Sequence, residues 1–151
     1  MKEKKFTIDL TKKLKEAFKE RNLKITPQRI AIYEEIVNSK EHPSTVHIFE
    51  KIRRSFPNIS FDTINRTLTT FAEIGLIKTV EGSGDSKRYD PNIEQHHHFI
   101  CVKCGRIIDF DSKELDNLQL PTELHNKFRI LRHKVVVEGI CDKCSKELIK
   151  T

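Results

Sequence analysis

Two Cys-x-x-Cys pairs constrain the fold of this 151-residue chain more than any other feature. Cys101 and Cys104 form the first pair, Cys141 and Cys144 the second, and the sequence contains no further cysteine. Each pair can present two thiolates from one tight turn, and four thiolates complete the tetrahedral shell of a structural Zn²⁺ site. Because 36 residues separate the pairs, the metal would tie the last element to the rest of a small domain and contribute to its folding. We therefore predict structural zinc; four buried or redox-active cysteines are the alternative.

The composition describes a globular protein with no membrane partner. Charged residues make up 33% of the chain and hydrophobic residues 36%. The N-terminal MKEKKFTIDLTKK has no apolar core of a secretory signal, and no apolar run approaches the ~20 residues of a membrane span. We therefore expect a cytoplasmic protein, in which reduced thiols favour metal binding over disulfides.

The net charge lies entirely in the N-terminal part of the chain. Residues 1–88 contain 18 Lys and Arg against 12 Asp and Glu, a net charge of +6, whereas residues 89–151 contain ten of each. This asymmetry is typical of a nucleic-acid-binding domain joined to a neutral one. A solvated lysine-rich surface would give the same count.

The basic part has the pattern of a winged helix-turn-helix domain. Apolar residues at helical spacing predict four helices, which begin at about Asp9, Pro27, Ser44 and Ser60. The spacing predicts that the third helix buries Val46, Phe49 and Ile52. Strands at 75–80 and 87–89 follow on either side of a Gly-containing turn at 81–86. We assign residues 1–88 to this domain.

The helix from Ser60 is the predicted recognition helix. We expect it to bury Phe61, Ile64, Leu68 and Phe71. Short polar side chains and one Arg remain on its outer face: Asp62, Thr63, Asn65, Arg66, Thr69 and Thr70. Such donors and acceptors can recognise base edges in the major groove, although any solvated helix face has a similar composition.

Residues 96–151 predict a small α/β domain beyond a hinge at 89–95. Asp90-Pro91-Asn92 interrupts regular structure at the point where the charge falls to zero. Two strands are expected around the turn at 103–105, and a long strand is expected over 129–138. Short helices are expected from Ser112, Pro121 and Cys141.

His96 and His98 are candidates for a second metal site. Side chains alternate along an extended segment, so these two imidazoles face one side while His97 faces the other. Further donors lie nearby in the sequence or in an N-terminal turn: Asp90, Asp109 and His42. Imidazole and carboxylate donors suit Fe²⁺, Mn²⁺, Zn²⁺ or Ni²⁺. On pattern alone, an isolated histidine such as His42 is more often a surface or packing residue.

Taken together, these motifs resemble the ferric uptake regulator (Fur) superfamily over nearly the whole chain. They occur in family order: Thr26-Pro27-Gln28-Arg29, His42-Pro43, His96-x-His98, Cys101-x-x-Cys104-Gly105 and Cys141-x-x-Cys144. The resemblance implies an α+β fold with an N-terminal winged helix, a hinge and a C-terminal α/β dimerisation domain. It also implies a metal-dependent transcriptional repressor that is a homodimer and binds a palindromic double-stranded DNA operator.

The resemblance further implies a regulatory Fe²⁺ or Mn²⁺ ion between the domains. The matching ligand positions are His42, Asp90, His96, His98 and Asp109. Metal binding would draw the domains together and fix the spacing of two recognition helices across a palindrome. Asp at positions 90 and 109, where iron-sensing members usually have Glu, is similar to the peroxide-sensing repressors (PerR) of the family. In those repressors Fe²⁺ reacts with hydrogen peroxide and a ligand histidine is oxidised, which makes His42 and His96 the expected targets.

Two features of the chain depart from the family pattern. The recognition run is Thr63-Ile64-Asn65-Arg66 where members commonly have Thr-Val-Tyr-Arg, and Asn65 can pair with adenine instead of contacting thymine methyls. Thr63, Asn65, Arg66 and a family-matching Lys24 are the expected DNA contacts. Some members have an extra metal site; His97 and His133 could serve in it, but Gln95 replaces a family histidine.

Other functions remain compatible with these residues. An iron-responsive repressor or a zinc or nickel sensor would use the same ligands. A mononuclear metal enzyme could use His96, His98 and Asp109 as a facial triad, but the sequence shows no separate nucleophile or phosphate loop. A constitutive architectural DNA-binding protein would need only the zinc site.

Overall fold

The structure, a computed structural model, describes residues 2–81 and 87–149. It divides into two compact units between Ile93 and Glu94, inside the segment 89–95 for which we predict a hinge. Within the described ranges, no helix has the length and apolar character that a bilayer crossing requires. The predicted α+β class is confirmed.

The described residues of the first unit form four helices and a two-stranded sheet. These elements are α1 (Lys2–Glu20), α2 (Pro27–Asn38), α3 (Thr45–Ser55), α4 (Phe61–Glu73), β1 (Lys78–Glu81) and β2 (Lys87–Asp90). The side chains of Thr26, Ser44 and Ser60 cap α2, α3 and α4, each by accepting a backbone N–H three residues later. The antiparallel β1–β2 hairpin, here called the wing, completes the predicted winged helix-turn-helix. Of the turn predicted at 81–86, Glu81 instead ends β1, and residues 82–86 lie outside the described part of the chain.

Phe71 of α4 lies at the centre of the core of the first unit. Its ring contacts Phe18 of α1 at 5.9 Å and Tyr33 of α2 at 5.7 Å, both in edge-to-face geometry. Ile64 and Leu68 on the same face of α4 are also fully buried. This packing fixes one face of α4 against the core, so its polar face points outward.

Two apolar residues that the sequence predicts to be buried are exposed. Val46 is 54% exposed, and Ile48 with Ile52 forms the buried face of α3 instead. Phe61 is 44% exposed, and its ring packs edge-to-face on Phe49 at 5.5 Å. Both prediction errors fall in the first turn of a helix, where apolar spacing does not show whether that turn reaches the core.

The described residues of the second unit form a three-stranded sheet and three short helices. These elements are β3 (His97–Cys101), β4 (Ile107–Phe110), α5 (Lys113–Asp116), α6 (Thr122–Lys127), β5 (Val136–Gly139) and α7 (Asp142–Ile149). Strand β3 is central, antiparallel to β4 and parallel to β5. This is the small α/β unit that the sequence predicts.

The prediction of a long strand over 129–138 is wrong for most of that range, because only Val136–Gly139 forms a strand. Two side chains form hydrogen bonds with backbone groups just before β5. The Gln95 amide donates to the His133 carbonyl at 2.6 Å, and the Val135 N–H donates to His97 Nδ1 at 3.2 Å. The Val135 carbonyl still accepts the His98 N–H at 3.2 Å, so in this segment side-chain hydrogen bonds accompany a single backbone contact with β3.

Candidate metal centres and nucleic-acid interface

The four cysteines meet in the second unit. Each offers a sulfur within 4.8 Å of the other three, and the Cys104 and Cys141 sulfurs are 3.8 Å apart. Cys101 ends β3, and the turn that brings Cys104 beside it closes with a 2.8 Å hydrogen bond from the Gly105 N–H to the Cys101 carbonyl. Gly105 has a φ of 73°, a conformation that favours glycine. Cys141 and Cys144 approach from the start of α7.

The electrostatics of the thiols fit a site that a dication completes. The Cys141 N–H donates to the Cys101 sulfur at 3.3 Å, and this contact contributes most to lowering the pKa of Cys101 to about 6. The backbone N–H of Cys144 likewise lowers the pKa of Cys141, whereas burial raises the pKa of Cys144 to about 12. A cation in the cluster would stabilise the thiolates that burial opposes, as Zn²⁺ does in four-cysteine sites.

A second donor group in this unit contains His96, His98 and Asp109. The two histidine Nε2 atoms are 3.0 Å apart. Asp109 lies opposite His98 on β4, with its Oδ1 3.4 Å from His98 Nε2 and 3.7 Å from His96 Nε2. His96 Nδ1 lies 2.9 Å from the Glu94 carbonyl, which can only accept a hydrogen bond. In the tautomer that donates this hydrogen bond from Nδ1, the Nε2 lone pair of His96 faces the group.

His42 and Asp90 form a donor pair in the first unit. Both are buried, and His42 Nε2 is 3.4 Å from Asp90 Oδ2. His42 lies between α2 and α3, and Asp90 ends β2. The other carboxylate oxygen of Asp90 accepts the Asn92 N–H at 2.8 Å, which orients Oδ2 toward His42. Imidazole and carboxylate are the same donor types as in the second unit.

The strand β2 fixes the position of the His42 turn. Arg88 Nε donates to the His42 carbonyl at 2.5 Å, and the Tyr89 N–H donates to the Pro43 carbonyl at 3.0 Å. The Tyr89 hydroxyl also lies 3.1 Å from Thr45 Oγ1, in the first turn of α3. Arg88 and Tyr89 were not predicted from the sequence, because no local pattern indicates a contact between residues more than 40 positions apart.

The outer face of α4 presents Asn65 and Arg66, whose side chains are both exposed. The Thr69 and Thr70 hydroxyls donate to the carbonyls four residues earlier, at 2.9 and 3.0 Å. The Thr63 hydroxyl lies 2.8 Å from the hydroxyl of the capping Ser60. These three hydroxyls therefore engage groups of their own helix or of its N-cap. The fourth predicted contact, Lys24, is exposed before α2.

The predicted extra-site histidines are engaged in hydrogen bonds within the second unit. His97 is fully buried, with Nδ1 accepting the Val135 N–H and Nε2 3.1 Å from Asp116 Oδ1. His133 Nε2 donates to the Leu115 carbonyl at 2.7 Å. A metal ion bound through His133 Nε2 would have to displace that hydrogen bond.

A winged helix-turn-helix, a small α/β unit and these donor groups define a winged-helix regulator with metal-binding potential. Residues 20–138 match the model of the ferric uptake regulator family, and the chain belongs to that family. Its members are transcriptional regulators and not enzymes.

Similar proteins agree with this assignment. The chain is 36% identical over 125 residues to the peroxide-responsive repressor PerR of Staphylococcus epidermidis, covering 83% of each chain. It is 37% identical over 132 residues to the peroxide operon regulator of Bacillus subtilis, covering 87% of this chain and 91% of the relative. Among solved structures, the Helicobacter pylori ferric uptake regulator Fur, described with three functional metal binding sites, superposes with a TM-score of 0.77 at 26% identity. That match covers 92% of this chain and 93% of the other.

Proposed function

We propose that this chain is a homodimeric, metal-dependent repressor of the cytoplasm that leaves its DNA operator when hydrogen peroxide oxidises a metal-ligating histidine. The observation that carries the proposal is the donor group of His96, His98 and Asp109, in which two imidazoles and an aspartate face one another. Relatives named for their response to peroxide support the choice of signal.

The four cysteines are assigned a structural Zn²⁺. They connect the end of β3 to α7, which are the central strand and the last helix of the second unit. A unit of this size has a small hydrophobic core, so the metal would supply much of its folding free energy.

The regulatory ion, Fe²⁺ or Mn²⁺, is assigned to five residues: His42, Asp90, His96, His98 and Asp109. The first unit offers two donors and the second offers three, and the donor types of both match these metals. Sharing one ion would make the position of the winged helix depend on the metal. Because Arg88 and Tyr89 tie the His42 turn to the wing and to α3, ligation of His42 would act directly on the DNA-binding elements.

Peroxide sensing would act through the ligand histidines. A bound Fe²⁺ ion would supply the reducing power that begins peroxide cleavage. In the net reaction, a ring C–H of His42 or His96 becomes C=O with one peroxide oxygen, its hydrogen moves to a ring nitrogen, and the other oxygen leaves as water. An oxidised ring of this kind has N–H at both nitrogens and no longer offers an imidazole lone pair. The ligand is lost, and the winged helix is released.

The exposed edge of the second unit suits a second copy of the chain. Strand β5 is at the edge of the sheet, and Val136 and Val137 on it are exposed. Phe128 and Leu131, in the segment before β5, are also exposed. An unpaired apolar edge is unfavourable in water and favours pairing with another strand. A dimer would place two α4 helices for binding to a palindrome.

The test is mass spectrometry of the Fe²⁺-loaded protein before and after mild peroxide, with DNA binding measured in parallel. We expect one added oxygen on the peptide of His42 or His96, together with loss of DNA binding. The same treatment of the Mn²⁺-loaded protein serves as one control. The peptide of the exposed His125, which is not among the proposed ligands, serves as the other. Unmodified histidines with DNA binding that follows free Fe²⁺ would contradict peroxide sensing and indicate an iron-responsive repressor.

A further inference from the structure

The recognition helix contains an acidic residue on the face proposed to contact DNA. Asp62 is the second residue of α4, and its Oδ2 lies 2.9 Å from Nε of Arg66, one turn later. Both side chains are exposed, at 66% and 80%. A carboxylate beside DNA phosphates is electrostatically unfavourable, so its presence here needs a reason.

Helix stability accounts for only part of that reason. An acidic residue in the first turn interacts favourably with the helix dipole, and an exposed pair four residues apart stabilises a helix slightly. Solvent screens such exposed pairs, so their contribution to folding is small. The same stabilisation would come from an acid on a helix face that does not contact DNA.

The geometry of the pair offers a better account. The carboxylate contacts Arg66 at Nε, the guanidinium nitrogen nearest the backbone. The two terminal nitrogens lie at the other end of the guanidinium. Two parallel guanidinium N–H groups are the donors that recognise O6 and N7 of guanine. An arginine held at Nε has fewer rotamers to lose on binding, because its planar fork is already oriented.

We propose that Asp62 is a positioning residue for base recognition, which orients Arg66 through Nε and thereby sets the preference for guanine at one base pair. The inference rests on the proposed DNA-binding function of α4 and adds a determinant of sequence specificity to it. The i, i+4 spacing and the Nε contact are the observations that carry it.

The experiment begins with a library of DNA duplexes that have a randomised central segment, selected with the Mn²⁺-loaded full-length dimer. Affinity is then measured for the selected duplex, for its single-base variants and for a scrambled duplex. The proteins are wild type, Asp62→Ala, Asp62→Asn, Arg66→Ala and the Asp62→Ala/Arg66→Ala double variant. Glu73→Ala, which removes an exposed acidic side chain at the other end of α4, is the matched control.

We expect Asp62→Ala to weaken binding of the selected duplex by about three- to tenfold, the cost of ordering one long side chain. The scrambled duplex should bind equally well or better, because a negative charge has been removed. Discrimination should fall at the same base pair that Arg66→Ala affects, and the double variant should bind no more weakly than Arg66→Ala. Asp62→Asn should retain part of the discrimination, and Glu73→Ala should leave it unchanged.

Three results would overturn the proposal. If Asp62→Ala binds both duplexes more tightly with discrimination intact, Asp62 is only a repulsive surface charge. If its discrimination falls at a different base pair from that of Arg66→Ala, Asp62 contacts a base itself. If Arg66→Ala keeps full discrimination, Arg66 does not recognise a base. That result would leave the proposed metal-dependent repression standing. A wild-type protein that selects no sequence would instead contradict the proposed function.

Discussion

Replacement of Arg88 by Ala tests whether the wing holds the His42 turn in the geometry that metal binding requires. The substitution removes the 2.5 Å hydrogen bond from Nε to the His42 carbonyl and a 3.5 Å contact to the Glu41 carbonyl. A hydrogen bond from a charged donor contributes about 1.5–3 kcal/mol. The Tyr89 N–H still donates to Pro43, so only part of this energy should be lost from the metal-bound state. We expect a loss of ~1.4 kcal/mol, which is about a tenfold weaker Mn²⁺ affinity.

The assay is calorimetric titration of the zinc-containing dimer with Mn²⁺, with thermal unfolding measured on the same samples. The sign of the effect makes the test specific, because removing a positive charge should by itself strengthen the binding of a cation. Lys87→Ala is the matched control, since Lys87 is the exposed neighbour on β2 and has the same charge. It should leave Mn²⁺ affinity unchanged or slightly increase it.

Two results would refute this reasoning. An unchanged Mn²⁺ affinity in Arg88→Ala, with a lower Tm, would show that the contact stabilises the fold without positioning His42. An equal loss of affinity in Lys87→Ala would attribute the effect to charge and not to the hydrogen bond. Arg88→Lys separates the two causes further, because it retains the charge but not the Nε donor.

Three further predictions concern the metal ligands and the recognition helix. His96→Ala or Asp109→Ala should abolish metal-dependent DNA binding in gel-shift assays while sedimentation still shows a folded dimer; a dissociated or unfolded product would contradict the separation of the two metal sites. Cys141→Ser should lose zinc by elemental analysis and lower the Tm or dissociate the dimer, and a stable zinc-free dimer would rule out the structural role. Arg66→Ala should weaken binding to a selected operator by about 1–3 kcal/mol; unchanged affinity would exclude Arg66 from base recognition.

Short-range features of the fold were predictable from the sequence. Ser60 caps α4 because its oxygen needs only a backbone N–H three residues away. Apolar spacing likewise predicted that Ile64, Leu68 and Phe71 are buried. It failed for Phe61, because spacing defines the direction of a side chain and not the depth of the core beneath it.

Features that depend on distant contacts were not predictable in the same way. The β-branched run at 129–138 favours a strand, but Gln95 and His97 form hydrogen bonds with its backbone from 38 residues away. The Asp62–Arg66 pair differs, because its four-residue spacing is visible in the sequence. Exposed pairs at this spacing are common on helices, so the spacing alone does not identify a functional pair.

The surroundings of His42 offer a physical route by which the proposed ligation of this histidine would influence DNA binding. Side chains alternate along β2, so Arg88 and Asp90 lie on the same side of the strand, and both contact the His42 turn. Tyr89 is the residue between these two on β2, and its hydroxyl lies 3.1 Å from Thr45 Oγ1 at the start of α3. A metal bound by His42 and Asp90 would therefore act on the wing and on the first helix of the helix-turn-helix through direct contacts. Because Tyr89 is buried in the same hydrophobic core as Phe71, a displacement of β2 by metal binding would also act on the packing of that core.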